Sequence, residues 1–323
     1  TALALYGNPI RSSVSRLEKF AKFPFAHFAA YGLRLRERRL YRLETPDIGL
    51  LYHAVLSRMA KTLAAEGRSW ADLDQEECRN RAEQTVEELG PRLLSEILYS
   101  TGRHRFLMGR MKSVVGRTVS AIRQQAARSG FRQQAAEISF GERKELPPLR
   151  LSLDGGGELV LQGRIDRIDA AQNERGDRFI RVVDYKSGSR ELNLSDVYYG
   201  LSLQLLAYAD AAASSAAAWL GSEAKIAGAL YFHVHQPLLN MDGPADAEEL
   251  EPQLLRKYKM KGLLLNDTEA IRMMDTAILQ GHSPVVPLEW RKDGTLGDRS
   301  QVTDAARWEL LRFHVRRKLS ELA

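Results

Sequence analysis

The stretch GRIDRID, residues 163–169, continues an apolar run, ELVL at 158–161, that reads as the start of a β-strand. A half-buried strand alternates apolar and polar residues with period 2, whereas this stretch repeats with period 3 and carries four charges in seven residues. Because successive side chains of a strand point to opposite faces, Asp166 and Asp169 cannot both serve one site. Asp166 lies deeper in the strand, so we expect it to face a functional site and Asp169 to be structural or exposed.

The stretch VVDYKSG, residues 182–188, places a second carboxylate beside a lysine at the end of another predicted strand. Asp184 and Lys186 share one face, about 7 Å apart along the strand, and could serve one ligand. A surface ion pair is the alternative, because D-x-K is a weak motif by itself. If Asp166 and Asp184 meet in the sheet, their repulsion favours a hard divalent cation with oxygen ligands, such as Mg²⁺ or Mn²⁺.

Three further polar side chains stand where two predicted helices could line such a site. His53 lies off the apolar stripe of the helix predicted at 45–64. Gln204 and Tyr208 stand one turn apart on a helix predicted at 195–220. A packed or exposed histidine and a solvated helix face are the alternatives. All three side chains remain candidate site residues.

The order of the predicted elements indicates an α/β fold with a mixed sheet. A hairpin at 149–169 and a strand at 179–186 precede the helix at 195–220 and a strand at 225–235, which combines antiparallel pairing with a helical crossover. The tail, 252–323, is charged and reads as mostly helical. We predict a single domain with N-terminal helices, a helical insertion that is first acidic and then basic, a core of sheet and helix, and a C-terminal helical segment. The bounds of these four parts are 1–64, 65–135, 136–240 and 241–323.

The composition narrows the classes of function. The chain of 323 residues holds one cysteine, Cys78, which excludes an internal disulfide framework and a multi-cysteine metal site. Neither a signal peptide nor an apolar run long enough to span a bilayer is visible, so we expect no membrane contact and a cytoplasmic setting. The chain opens without a methionine, and we expect it to be part of a longer protein.

The positive charge is concentrated in one segment. Residues 97–136 contain eight Lys or Arg and no Asp or Glu, in a chain whose net charge is +6. Localised positive charge suggests a polyanion such as nucleic acid, and a solvated helix face is the alternative. The side chains predicted to contact nucleic acid are Arg103, Arg105, Arg110, Lys112 and Arg117.

Four motifs in this order resemble those of the RecB-like nucleases in the PD-(D/E)XK superfamily. They are GLLYH at 49–53, GRIDRID at 163–169, VVDYKSG at 182–188 and QLLAY at 204–208. The resemblance implies a restriction-endonuclease-like core, with a mixed sheet flanked by helices and a helical insertion. It implies a metal ion, Mg²⁺ or Mn²⁺, whose ligands are His53, Asp166, Asp184 and the backbone carbonyl of Tyr185.

The same resemblance implies roles for the remaining candidates. Lys186 would orient or activate the attacking water, and Gln204 and Tyr208 would support the site and contact the DNA strand. We therefore predict a metal-dependent deoxyribonuclease that degrades single strands unwound by a helicase during break processing for recombination. A non-catalytic DNA-binding scaffold is the alternative. A glycosidase-like carboxylate pair fits poorly with Lys186, and this chain has no phosphate-binding G-x-x-x-x-G-K-[ST] loop of an ATPase.

A narrower resemblance covers the opening stretch LYGNPIRSSVSRLEKFAKFPFAHFAAYGLRLRERR, residues 5–39. It is similar to the nuclease domain of the B subunits of bacterial AddAB helicase–nucleases, which implies an AddA-type partner subunit and DNA ends or single strands as substrate. Most members of that family hold a 4Fe–4S cluster with four cysteines. Here Phe23 takes the first of these positions and Cys78 matches none, so we expect no such cluster in this chain.

Overall fold

The strand that carries GRIDRID is central to the sheet, because it pairs with four other strands. The structure is a computed structural model, and it describes residues 7–36, 45–94, 102–154, 156–239 and 247–323. Within these ranges the strands are β1 (Ile10–Ser13), β2 (Arg132–Phe140), β3 (Leu149–Ser152), β4 (Glu158–Gln172), β5 (Arg178–Lys186), β6 (Lys225–His233), β7 (Lys261–Leu265), β8 (Gly281–His282), β9 (Glu289–Trp290) and β10 (Val302–Thr303).

Most of the described helices lie between β1 and β2 or between β5 and β6. The helices are α1 (Val14–Lys22), α2 (Pro24–His27), α3 (Thr45–Ala65), α4 (Gln75–Leu94), α5 (Gly102–Ala127), α6 (Leu194–Tyr198), α7 (Gln204–Ser214), α8 (Ala216–Leu220), α9 (Ala247–Lys257), α10 (Thr268–Met274) and α11 (Ala305–Glu321). A π-helical turn at Phe28–Gly32 and a 3₁₀ turn at Trp70–Asp72 complete the set. Short polar side chains cap several of these helices, as Ser13 does for α1, where its hydroxyl accepts a hydrogen bond from the Arg16 amide.

The main sheet has eight strands in mixed orientation, which confirms the predicted α/β class. Its path runs β1–β4–β5–β6–β7–β10, and β2 and β3 also pair with β4. The β5–β6 pair is parallel, with α6, α7 and α8 as the crossover, whereas the β4–β5 and β6–β7 pairs are antiparallel. The first part of β4 pairs with β1 and β3, and its second part pairs with β2 and β5.

Buried apolar residues form one cluster on each face of this sheet. On one face, α3, α4 and α5 pack against side chains of β5 such as Val183 and Tyr185. On the other face, α1, α7 and α11 pack against Ile165, Ile168 and Val182. A sheet covered on both sides is buried on both faces of its strands. This explains why β6 reads as a nearly continuous apolar run and why the interior of β5 is buried even at Arg181 and Asp184.

The prediction of one continuous helix at 195–220 is wrong. This segment consists of α6, α7 and α8, and the first break follows Tyr199, where Gly200 has a φ of +79°. Glycine enters this left-handed region without steric cost, so the chain turns there before α7 begins at Gln204. The alanine-rich composition of the segment favours helix throughout and conceals this turn.

The C-terminal part, 241–323, is also not the helical segment that was predicted. β7 and β10 extend the main sheet, and β8 and β9 form a separate two-stranded sheet. β7 comes so close to β6 that a Cβ atom at Gly262 would lie 2.2 Å from the Ala229 carbonyl oxygen. Two further strands lie in parts predicted to be helical, because β1 falls within 1–64 and β2 begins at the end of the insertion.

Asp169 lies at the centre of a buried charge cluster. Its carboxylate accepts hydrogen bonds from Arg167 Nε at 2.6 Å and from Arg181 Nε at 2.8 Å, and all three side chains are buried. Burial by itself raises the pKa of Asp169, but the attraction of the two guanidinium groups outweighs burial and the net pKa is lowered. These contacts agree with the expectation that Asp169 is structural. The alternative, that Asp169 is exposed, is wrong.

Replacing Asp169 by asparagine is predicted to destabilise the fold strongly. The substitution keeps the size of the side chain but leaves two buried guanidinium groups without a negative partner, which typically costs about 3–5 kcal/mol. Urea unfolding followed by circular dichroism should show the midpoint falling. Asp298→Asn is the matched control, because Asp298 forms an exposed pair with Arg291 and such pairs contribute little. Equal midpoints for the two variants would contradict the structural role of Asp169.

Candidate metal and nuclease site

The pairing of β4 with β5 brings the two predicted carboxylates together. Arg167 lies opposite Val183, and continuing this antiparallel register by one residue places Asp166 opposite Asp184. Both aspartates are buried. The Asp166 carboxylate accepts a hydrogen bond from the Tyr185 amide at 2.8 Å, which fixes the orientation of the carboxylate near the end of β5.

His53 and Glu137 complete a compact group of ligand atoms with Asp166. The Nδ1 atom of His53 lies 3.2 Å from Asp166 Oδ1 and 3.5 Å from Glu137 Oε1. One ligand atom from each residue lies within 4.8 Å of the others, a spacing that a single metal ion could bridge. α3 supplies His53, β2 supplies Glu137 and β4 supplies Asp166, so the group depends on three elements that are distant in sequence.

Neighbouring charges shift the pKa values of His53 and Asp184 in this region. Burial by itself lowers the pKa of His53, but hydrogen bonds to Asp166 and Glu137 outweigh burial and raise the pKa to about 10. Burial and the neighbouring Asp166 raise the pKa of Asp184 to about 6, although Lys186 opposes this shift. Three carboxylates therefore lie beside one imidazole, and these oxygen and nitrogen donors form a set that suits a divalent cation.

Lys186 extends from the end of β5 beside this group. Its Nζ atom lies 2.5 Å from Asp184 Oδ2 and 5.8 Å from the centre of the Tyr231 ring. The side chain is mostly buried, so its ammonium group is positioned by Asp184 and not by solvent. This agrees with the prediction that Asp184 and Lys186 share one face of the strand.

Gln204 and Tyr208 face the same region from α7. Gln204 Nε2 donates a hydrogen bond to the Tyr208 hydroxyl at 3.2 Å, and the Tyr208 ring packs edge-on against Phe140 at 5.5 Å. A Cβ atom at Gly163 would lie 2.7 Å from the Phe140 ring and 3.0 Å from the Tyr208 ring. The glycine of GRIDRID is therefore required for close packing of these rings over β4.

Glu18, which was not predicted, holds the first turn of α7. Its Oε1 atom accepts hydrogen bonds from the amides of Leu203 at 2.6 Å and Gln204 at 2.8 Å. Burial raises the pKa of Glu18, and the two amides and Arg190 reduce this shift without cancelling it. A carboxylate at the amino end of a helix satisfies amides that have no partner within the helix. Glu18 thus links α1 to the helix that presents Gln204.

Glu137 is the second residue that the sequence interpretation missed. β2 was not predicted, because its sequence RQQAAEISF lacks a regular apolar alternation. One signal was available, since Glu137 is the first acidic residue after the forty residues from 97 to 136 that contain none. Its backbone has a φ of +53°, which is uncommon for a residue other than glycine. Such strain is most often retained at functional sites.

A groove of about 860 Å³ opens beside His53 and Glu137 between α3, α4 and the sheet. Its basic lining residues are Arg58, Lys61 and Arg164, of which Arg164 pairs with Glu137 at 2.5 Å. The groove gives the candidate ligands access to a large substrate.

The predicted nucleic-acid residues lie on α5, and none of those whose side chains are described lines this groove. The side chains of Arg105, Arg110 and Arg117 are exposed, and the side chain of Arg103 lies outside the described residues. Lys112 forms an ion pair with Glu87 at 2.5 Å. Lys112 and Arg117 line a different groove, of about 710 Å³, between α4, α5 and α9. A role for the α5 residues in binding DNA stays a prediction.

Removing the Glu18 carboxylate is predicted to loosen the first turn of α7. In Glu18→Ala, the amides of Leu203 and Gln204 lose their acceptor, and hydrogen bonds to charged groups are worth about 1.5–3 kcal/mol. Hydrogen exchange measured by NMR should then become about tenfold faster, or more, at these two amides. Glu142→Ala is the control, because Glu142 pairs with Arg11 at the surface. Unchanged protection at Leu203 and Gln204 would rule out the proposed clamp.

Comparison with known proteins identifies the family of this chain. The family model described as the PD-(D/E)XK nuclease superfamily matches residues 11–322. The chain is 41% identical over 317 residues to the B subunit of the ATP-dependent helicase/deoxyribonuclease of Bacillus licheniformis, covering 98% of this chain and 27% of that protein. It is 42% identical over 315 residues to the protein of the same name from Bacillus mycoides, covering 96% of this chain and 27% of that protein.

These relatives confirm the narrower resemblance to the B subunits of AddAB-type helicase–nucleases. The chain spans about a quarter of the length of the relatives it matches, so their full activity cannot be assigned to it directly. The family match, in contrast, extends over nearly the whole chain and includes every candidate site residue. The chain belongs to the PD-(D/E)XK nuclease superfamily.

Proposed function

We propose that this chain hydrolyses phosphodiester bonds of DNA with the help of a divalent metal ion, Mg²⁺ or Mn²⁺. The observation that carries the proposal is the convergence of His53, Glu137 and Asp166 within bridging distance, beside the Asp184–Lys186 pair. Carboxylate oxygens and one imidazole form a donor set that suits Mg²⁺ or Mn²⁺. The cluster adjoins a groove large enough for a nucleic-acid strand.

Each residue has a distinct role in this proposal. Asp166, Asp184, Glu137 and His53 hold the metal, and the carbonyl of Tyr185 is a further candidate ligand. A divalent ion bound there would neutralise charge on the phosphoryl oxygens and lower the pKa of a water molecule. Lys186, held by Asp184, orients the attacking water and stabilises negative charge that develops on the phosphate.

Gln204 and Tyr208 act beside these residues as positioning groups in the proposed site. Their mutual hydrogen bond fixes the two side chains relative to each other, and the Glu18 contact ties the first turn of α7 to α1. Burial raises the pKa of Tyr208 to about 12, so its hydroxyl stays protonated at neutral pH and can donate a hydrogen bond to the strand.

The DNA strand is proposed to lie in the groove beside His53. Arg58, Lys61 and Arg164 line this groove and can contact phosphates. Arg105 and Arg110 on α5 are proposed to extend the positive surface, with Lys112 and Arg117 as more distant contributors. A role for Arg103 stays a prediction from the sequence. Phosphate contacts of this kind position a strand without reading its sequence.

The assembly and setting of the protein are also part of the proposal. The relatives are named as B subunits of an ATP-dependent helicase and deoxyribonuclease. We infer that this chain works with an AddA-type partner subunit in the cytoplasm, where it degrades unwound single strands at DNA ends during recombinational repair.

The described helices do not meet the requirements of a transmembrane span. Within the ranges that the structure covers, none is both long enough and apolar enough to cross a membrane.

Asp184→Asn is predicted to abolish DNA degradation. The substitution keeps the size of the side chain but removes a metal-binding charge and the partner of Lys186. The loss of rate should be about 100-fold or more, measured with fluorescent single-stranded DNA in Mg²⁺ and in Mn²⁺. Asp293→Asn is a matched control, because Asp293 is exposed in a turn. Equal rates for the wild type and Asp184→Asn would refute the site assignment.

Glu137→Gln is predicted to weaken metal binding directly. The substitution removes one negative charge from the cluster of three ligand residues. Binding of Mn²⁺, followed by electron paramagnetic resonance of the free ion, should weaken by about 10- to 100-fold. Glu142→Gln, at an exposed glutamate of the following turn, should bind Mn²⁺ like the wild type. Wild-type Mn²⁺ affinity in Glu137→Gln would exclude Glu137 as a ligand.

A further inference from the structure

Two consecutive tyrosines are exposed in the segment that leads into α7. Tyr198 ends α6 and Tyr199 follows it, with 62% and 67% of their surfaces exposed. Large aromatic side chains are more often buried, so two adjacent exposed rings form an unusual surface. Neither ring contributes to either of the apolar clusters on the sheet faces.

The two rings are held in a fixed arrangement. Tyr198 stacks on His314 of α11, with ring centres 5.4 Å apart and planes 5° from parallel. Tyr199 packs edge-on against Tyr198 at 5.2 Å. Gly200 turns the chain immediately afterwards, and a Cβ atom there would lie 3.0 Å from Leu322. Because the rings are ordered before any ligand binds, they can accept one at a low entropic cost.

The tyrosines lie on the segment that leads into the proposed site. They belong to the crossover that leaves the end of β5 at Lys186 and enters α7 at Gln204. Four residues lie between Tyr199 and Gln204, so their Cα atoms are at most about 18 Å apart. In α/β sheets, ligands bind outside the carboxyl ends of parallel strands, and this crossover begins at that end of β5.

We propose that Tyr198 and Tyr199 form a stacking platform for bases of a single-stranded DNA that passes through the site. The inference rests on the proposed nuclease function and deepens it by naming the side chains that contact the bases of the single strand. Exposed aromatic rings beside positive side chains are the usual means of holding single strands without reading their sequence. Lys318, whose side chain lies against Gly200, shares the carboxylate of Glu321 with Arg317, so among the described residues one positive charge of this pair stays uncompensated beside the platform.

A protein partner could also cover exposed tyrosines, but the position favours nucleic acid. The platform lies within one short crossover of both Lys186 and Gln204, which the proposed function assigns to a DNA strand. Bases of a duplex are stacked inside the helix and cannot pack on these rings, whereas the bases of a single strand can. The platform therefore selects unpaired DNA near the point of cleavage.

The test compares two oligonucleotides that differ only in their bases. Binding of a fluorescent oligothymidylate and of an abasic strand of the same length is measured by anisotropy, using the full chain with Asp184→Asn to prevent degradation. Adding Tyr199→Ala should weaken binding of oligothymidylate about tenfold and change binding of the abasic strand less than about twofold. Tyr199→Phe keeps the ring and should bind both strands like the parent chain.

Phe25→Ala is the matched control for this experiment. Phe25 lies on α2, and 66% of its surface is exposed, which is close to the value for Tyr199. Its replacement should leave both affinities unchanged. An equal loss of both affinities in Tyr199→Ala would indicate a backbone or folding effect and overturn the platform, as would no loss of either.

Two further measurements separate the possible failures. Sedimentation of the wild type and Tyr199→Ala tests whether this surface joins two copies of the chain, and a dimer that only the wild type forms would overturn the platform. Degradation of DNA by the chain without Asp184→Asn tests the nuclease proposal by itself. If the wild type degrades DNA and Tyr199→Ala leaves binding unchanged, the platform is refuted while the nuclease proposal stands.

Discussion

The antiparallel register between β4 and β5 is the constraint on which the rest of the structure depends. It pairs Asp169 with Arg181 and Arg167 with Val183. The same register, continued by one residue, places Asp166 opposite Asp184. One register therefore forms a buried ion cluster around Asp169 and, three residues earlier on β4, a candidate metal site around Asp166. A slip of this register by a single residue would turn the side chains of β4 to the opposite face and destroy both the ion cluster and the candidate metal site.

The two charge clusters differ in the way they are balanced. Asp169 is compensated inside the protein by two arginines, so that cluster is complete without a ligand. Around Asp166, three acids contact three basic groups, His53, Lys186 and Arg164, and the Arg164 side chain is 58% exposed. This second cluster opens onto the groove, so a divalent cation can reach its carboxylates. The first cluster thus stabilises the fold, while the second combines carboxylates that a cation can bind with access from solvent.

Much of the fold could be predicted from periodicity, because β4, β5, β6 and α3 have apolar patterns that match their final burial. The candidate site was predicted as far as its motifs extend, through Asp166, Asp184, Lys186 and His53. β2 and β7 were missed because short strands without alternation gain their stability from neighbouring strands and not from their own sequence. Glu137 was missed with β2, and Glu18 because its partners are backbone amides of a distant segment.

The sequence by itself determined the superfamily, the mixed sheet and the alternation that separates Asp166 from Asp169. These properties follow from local chemistry, since side chains alternate along any strand and motifs retain their spacing along the chain. Only the tertiary structure decided which third carboxylate joins the site, which residue clamps α7, and which basic side chains reach the groove. Each of these depends on contacts between segments that are far apart in sequence, and no local pattern records such contacts.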